Sequence, residues 1–282
     1  MAEWTETYRG VVSAWECDVV EHFTIAYYFE KFADATRNFV EMLGEDPDLA
    51  GLANATSTRI CTIFQHELRG GAAFHIVSAV TGMDGNTLGL GHQVVDTANA
   101  RTGAWVAESL SLPADLSAAA RGKLAAMTAL WTGPEIPARS EKPASRGMLT
   151  ARDRVKPWEL DEDDKLSLSD HVHRFSGAGG HLLTSIGMNG NYMQSNRRGF
   201  STFLLDVEIQ SPARAGERID VHTAIAHLGN TSLRYVHRMR ARDGREIASM
   251  VQAGVQLDLD ARRPTAFPQE VRDAINRQLS QA

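Results

Sequence analysis

Between Ile25 and Leu43 the apolar residues Ile25, Tyr28, Phe29, Phe32, Phe39, Val40 and Leu43 recur at helical spacing. That spacing stacks them along one wide face of a helix of about five turns. Gly44 supplies a stop, with Pro47 just beyond it. A face this apolar has to be covered, so the helix is expected to be wrapped by its own domain rather than to lie on a surface.

The periodicity changes on either side. Residues 5–17 read as a strand. After the helix, 57–68, 72–82, 86–97 and 103–112 read as four extended segments, separated by Gly70-Gly71, Asp84-Gly85-Asn86 and Ala100-Arg101. Asp-Gly between apolar runs is a hairpin signal, because both residues tolerate a positive φ. The second half reads as a repeat: a strand at 168–175, a Gly-rich turn, a shorter helical segment at about 180–196, then extended segments at 200–210, 217–227, 231–242 and 245–259. Gly85-Asn86-Thr87 parallels Gly229-Asn230-Thr231, and His66-Glu67 before Gly71 parallels Val207-Glu208 before Gly216. A sheet curled round one helix leaves an edge strand unpaired, and a second copy is expected to hide it.

Between the copies, an Ala-rich segment (115–131) reads as a surface helix. A stretch bearing Pro134, Pro137 and Pro143 follows, and then the acidic run Glu159 to Asp164. The expected division is 1–114, a connection with a helix at 115–165, a second domain at 166–264 and a tail at 265–282, with a helix opened by Pro268.

Composition limits the function. At 43% hydrophobic and 23% charged, the 282 residues are ordinary globular material. A net charge of −6 leaves no basic surplus for nucleic acid. No stretch approaches the roughly 20 apolar residues of a membrane helix. The N-terminus has no basic stretch leading into an apolar run, so it does not read as a signal peptide. Cys17 and Cys61 alone make no disulfide framework. A cytoplasmic protein without metal or cofactor is expected.

The chemistry concentrates in Trp15-Glu16-Cys17-Asp18-Val19-Val20-Glu21-His22-Phe23-Thr24-Ile25-Ala26-Tyr27-Tyr28, where an acid and a histidine fall between strand end and helix start. Free amides and the helix dipole there can polarise a thioester carbonyl. A carboxylate at that point can attack the carbonyl or activate water. Asp18 can equally be a turn residue or helix cap, and His22 a satisfied histidine near the core. Cys17 reads as a small apolar residue.

This segment resembles the Asp-x-x-Gly-His-x-Asn-x-x-x-Tyr turn of the 4-hydroxybenzoyl-CoA thioesterase-like family, of the hotdog superfamily. The resemblance continues through Tyr28-Phe29-Glu30-Lys31-Phe32-Ala33-Asp34-Ala35 and returns in the ending Val255 to Pro264. It implies an α+β double hotdog: two long helices, each wrapped by an antiparallel five-stranded sheet. It implies an acyl-CoA thioesterase, with coenzyme A entering only as part of the substrate.

Asp18 falls on the family's acid, His22 on its histidine and Tyr28 on its early helix aromatic. Glu21 stands in place of the usual glycine and Thr24 in place of the usual asparagine. Asp18, His22, Thr24 and Glu67 are therefore the catalytic candidates. Glu21, Phe23, Tyr28, His181, Arg197, Arg198 and Arg234 are the substrate-binding ones, with Arg234, Arg238 and Arg240 evenly spaced on one strand face. In the second half Gly179-Gly180-His181 matches the glycine–histidine pair, with Gly177 on the acid; Asn189-Gly190-Asn191-Tyr192 is also similar to the family's helix start, displaced along the chain, and both alignments stay open. One competent site at the interface of the halves is expected, and a homodimer or higher homo-oligomer is left open. Two other readings share the fold: an enoyl-CoA hydratase or dehydratase, and a non-catalytic acyl-CoA binder. Val20, two residues after Asp18, weighs against the hydratase.

Overall fold

The computed structural model describes residues 3–18, 20–139 and 147–280. Pro143 and the last two residues of the expected tail lie outside them. The chain divides into two compact units between Ile136 and Pro137.

The first unit runs β1 (Thr5–Val11), α1 (Ile25–Gly44), β2 (Thr56–Phe64), β3 (Ala73–Asp84), β4 (Thr87–Asp96), β5 (Thr102–Ser111) and α2 (Ala118–Ala126). Its sheet is antiparallel in the order β1-β3-β4-β5-β2. The apolar stripe of α1 is the core: Tyr28, Phe29, Phe32, Phe39, Val40 and Leu43 are buried, together with Ala26 and Ala35. Each large side chain so buried contributes about 1.5–3 kcal/mol. The β3–β4 hairpin turns at Gly85 with φ 55, so the glycine carries the positive φ of the tight turn.

One segment of this unit differs from the sequence reading. The first strand ends at Val11 rather than at Cys17 because Ala14–Glu16 forms a 3-10 turn, whose Glu16 carboxylate accepts the Ser13 N–H at 2.7 Å. The Ala-rich segment forms the expected helix, α2, packed against its own unit. Ala120 and Leu124 of α2 enter a cluster with Leu49, Leu88 and Leu110, and Lys123 lies 2.7 Å from Asp46 and 2.6 Å from Asp48.

The second unit runs β6 (Met148–Arg154), α3 (Leu168–Ser185), α4 (Gly190–Ser195), β7 (Arg198–Ile209), β8 (Arg218–Leu228), β9 (Ser232–Ala241), β10 (Glu246–Asp258), β11 (Arg263–Pro264) and α5 (Gln269–Leu279). Its main strands are antiparallel in the order β7-β10-β9-β8-β6, and β11 pairs with β10. Here the sequence reading is corrected. Residues 168–175, expected as a strand, are the first half of α3, and the opening strand is β6, within the expected connection. Val172, Phe175, Ala178, Gly179 and Leu182 are buried at helical spacing, and the Ser167 hydroxyl caps the helix by accepting the Asp170 N–H at 3.1 Å. Gly179 is a packing residue: a Cβ there would stand 3.3 Å from the Tyr235 hydroxyl oxygen.

Each unit thus has one long helix and an antiparallel five-stranded set, the double hotdog. The copies repeat buried hydrogen bonds as well as elements. Thr7, Ser78 and His92 are linked at 2.6 and 2.6 Å in the first, and Thr150, Thr223 and His237 at 2.7 and 2.7 Å in the second. Among the described residues no helix is long and apolar enough to cross a membrane.

Candidate active site

The turn before α1 is closed by its own aspartate. Asp18 donates its N–H to the His22 carbonyl at 2.9 Å, while its Oδ1 accepts the N–H groups of Val20 at 2.9 Å and His22 at 3.0 Å. Glu21 takes φ 64, the left-handed conformation that favours glycine. Beneath the turn, buried Glu16 lies 3.1 Å from Lys31 of α1. Burial disfavours the Lys31 ammonium, but hydrogen bonds to Glu30 and Glu16 more than offset this and hold its pKa above the ordinary value.

The fold brings His22 and Glu67 together. Nε2 of His22 lies 3.0 Å from Oε2 of Glu67, and Arg69 Nη2 lies 3.1 Å from the same nitrogen. Glu67 is not on a strand, since β2 ends at Phe64; it sits in the following loop, where a bridge pairs His22 with Arg69. Arg69 was missed by sequence reasoning, because only that bridge places it here. Thr24 occupies the N-cap position, yet its side chain makes no cap hydrogen bond. Phe23 and Tyr28 are core residues, 4% and 3% exposed, with ring centroids 4.3 Å apart.

The second unit contains the same turn, at a place sequence reading did not assign. Trp158-Glu159-Leu160-Asp161 through Leu166-Ser167 repeats Trp15-Glu16-Cys17-Asp18 through Phe23-Thr24. Asp161 Oδ1 accepts the N–H groups of Asp163 at 2.9 Å and Lys165 at 3.0 Å, and Asp164 takes φ 59 where Glu21 takes 64. Glu159 lies 2.6 Å from Arg174 as Glu16 does from Lys31. Gly177 therefore does not stand at the acid's position. It lies within α3, as does His181, which is exposed near that helix's C-terminal end. The acid recurs in both copies, whereas the histidine and its carboxylate partner do not. Lys165 replaces His22, and the Ala213 carbonyl that receives the Leu166 N–H, as Leu68 receives that of Phe23, puts Pro212 at the place of Glu67.

The expected basic residues are largely spent on carboxylates. Arg197 pairs with Asp260 at 3.1 Å, Arg198 with Asp258 at 2.6 Å and Arg240 with Glu246 at 2.7 Å, while Arg238 is 3.8 Å from Glu246. Arg234 is half-buried on β9. A different basic group, missed in the sequence, gathers on β6, just after it and at the start of β8. Arg152, Arg154, Lys156 and Arg218 line a pocket of about 560 Å³. Its signal was the alternation Arg152-Asp153-Arg154-Val155-Lys156, read as connection. Among the described residues no group of three or more His, Cys, Asp or Glu is placed to hold a metal ion.

The profile of the thioesterase-like superfamily matches residues 12–143 and 155–275, so the two matches span both units and most of the chain. The chain belongs to the thioesterase-like superfamily, and its class is that of a thioester hydrolase. Solved structures agree on the fold. A proposed oleoyl thioesterase from Lactobacillus plantarum superposes with TM-score 0.68 at 11% identity, over 91% of this chain and 97% of that one. The 12:0-ACP thioesterase from Umbellularia californica gives TM-score 0.64 at 9% identity, over 89% and 93%. An acyl-ACP thioesterase from Bacteroides thetaiotaomicron gives 0.60 at 10%, over 88% and 96%. No curated protein matches the chain.

Proposed function

We propose that the chain hydrolyses an acyl-CoA thioester to the free acid and coenzyme A, with one competent site on the turn before α1. The observation that carries this is that Asp18 accepts the backbone N–H of His22, whose imidazole pairs with Glu67, and that the second copy repeats only the acid.

Asp18 Oδ1 is held by two amides, which fixes the carboxylate and leaves Oδ2 to take a proton from water or to attack the carbonyl. The Phe23 and Thr24 N–H groups are spent on the Leu68 and Glu16 carbonyls, at 2.9 Å each. The oxyanion therefore falls to the Ile25 and Ala26 amides, which open the helix where its dipole favours negative charge. His22, oriented by Glu67, and the Thr24 hydroxyl, not used as a cap, position water or substrate. Coenzyme A enters as substrate, and the reading needs no cofactor.

The test is thiol release from short, branched, aromatic and long acyl-CoAs, run beside the matching acyl-carrier-protein thioesters. Turnover of an acyl-CoA is expected. Turnover of carrier-protein thioesters alone overturns the choice of substrate, and turnover of neither overturns the reading.

A further inference from the structure

We propose that Arg69 is a positioning residue that sets the tautomer of His22. It holds the neutral imidazole with its proton on Nδ1, so that His22 meets water or thioester as a hydrogen-bond donor rather than as a base. The inference rests on the acyl-CoA reading for what His22 meets, and on the geometry of the first unit alone for the tautomer.

One nitrogen of His22 faces two competing partners. Arg69 Nη2 lies 3.1 Å from Nε2 in hydrogen-bond geometry, and Glu67 Oε2 lies 3.0 Å from the same atom. A guanidinium only donates and a carboxylate only accepts, so Nε2 cannot serve both at once. With the ring proton on Nδ1, Nε2 accepts from Arg69, and the Glu67 charge is answered by the same Arg69 nitrogen at 4.0 Å. With the proton on Nε2 of a neutral ring, the Arg69 N–H faces another donor at 3.1 Å. Glu67 becomes the partner of Nε2 when the ring is protonated and the contact turns into an ion pair.

The backbone fixes this encounter. His22 and Arg69 are paired in an antiparallel bridge, and the Phe23 N–H donates to the Leu68 carbonyl at 2.9 Å beside it. Residues opposite one another in such a bridge have side chains within reach. The imidazole is 23% exposed, and its Nδ1 makes no hydrogen bond among the described residues. Nδ1 is therefore the nitrogen left for a substrate.

The second unit keeps the arginine and loses the imidazole. Its Leu166 N–H donates to the Ala213 carbonyl at 2.8 Å, so Lys165 and Arg214 stand where His22 and Arg69 do. An ammonium has no lone pair to offer, and Arg214 donates instead to the Asp164 carbonyl at 3.3 Å. The same arginine thus ties the turn in one copy and the imidazole in the other.

Long-range 1H–15N NMR of the full chain with 15N-labelled histidine reads the tautomer directly. His22 is identified among the ten histidines as the signal lost in His22→Gln. At about pH 8.5, where a histidine is neutral, wild type should show Nδ1 protonated and Nε2 bare. Arg69→Met should move the ratio about tenfold or more toward the Nε2–H form, which Glu67 alone favours. Arg214→Met, the same change in the second unit, should leave the His22 signal as it is. A wild-type ring already in the Nε2–H form overturns the proposal, whatever the folding of Arg69→Met, and so does a ratio that Arg69→Met leaves unmoved. On a thioester that turns over, Arg69→Met should lower kcat about tenfold with KM little changed; an unchanged kcat overturns the donor role. The Nδ1–H form without thioester turnover upholds the tautomer and overturns the function. Acyl-CoA turnover with wild-type His22 in the Nε2–H form does the reverse.

Discussion

His22 Nε2 lies 3.0 Å from the Glu67 carboxylate, and the corresponding places in the second unit hold Lys165 and Pro212. On the proposed mechanism, this difference concentrates proton-transfer chemistry in the first copy. Both groups are partly exposed, at 23% and 40%, so the pair stabilises the fold by no more than about 1 kcal/mol. Glu67→Gln is therefore expected to leave the melting temperature nearly unchanged. The same substitution should lower kcat about tenfold to a hundredfold, because His22 loses the partner that orients it. Steady-state kinetics beside thermal melts check both halves of that expectation.

The carboxylate of each turn aspartate accepts two backbone N–H groups, at 2.9 and 3.0 Å in both copies. Asp161→Ala should cost about 1–2 kcal/mol, the value of a lost cap-like acceptor. In a chain of this size that lowers the melting temperature by roughly 2–6 °C. Asp18→Ala should cost a similar amount. Melting temperatures unchanged in both variants would show that the carboxylates do not hold the turns.

Glu21 and Asp164 sit at φ 64 and 59, a conformation that costs a non-glycine residue about 1 kcal/mol. Glu21→Gly removes that strain at the position where the resembled family has glycine. A rise of roughly 2 °C in melting temperature is expected. A fall would mean that the Glu21 side chain makes contacts worth more than the strain.

Two buried histidines make the second unit sensitive to acid. Burial pushes His171 down to about 4 and His237 down to about 3, from an ordinary value near 6.5. Below pH 6.5 the unfolded chain takes up these protons while the folded chain does not, so stability is complete above that pH and falls as pH drops toward 4 and 3. At pH 5 the loss is about 2 kcal/mol per histidine. Melts at about pH 7 and pH 5 should show it, and His171→Gln with His237→Gln should flatten the slope. An equally steep slope in the double variant contradicts the assignment.

The first unit was legible because periodicity and burial agree there: the residues that marked α1 in the sequence are, Ile25 apart, the ones it buries. The second unit was not, for two physical reasons. Gly177, Gly179 and Gly180 have weak helix propensity and read as a turn, but the buried face of Val172, Phe175 and Leu182 overrides them. The strand β6 buries Thr150 and leaves Arg152, Asp153 and Arg154 exposed, so it carries no apolar alternation to read. With that strand unread, the repeat was set in the wrong register and Asp161 was passed over. Asp18, His22 and Glu67 were all legible as residue types. Their grouping depended on a loop crossing that brings Arg69 and Glu67 back beside the turn.

The equivalence of Asp18 and Asp161 supplies the most direct test of the central claim. Thiol release from a turned-over acyl-CoA is measured for wild type, Asp18→Asn and Asp161→Asn under one set of conditions. Both asparagines keep a side-chain oxygen able to accept the turn amides, so both variants should fold. Asp18→Asn should lose about a hundredfold or more in kcat, and Asp161→Asn should stay close to wild type. Equal rates in the two variants, or an unimpaired Asp18→Asn, would contradict a single site built on Asp18.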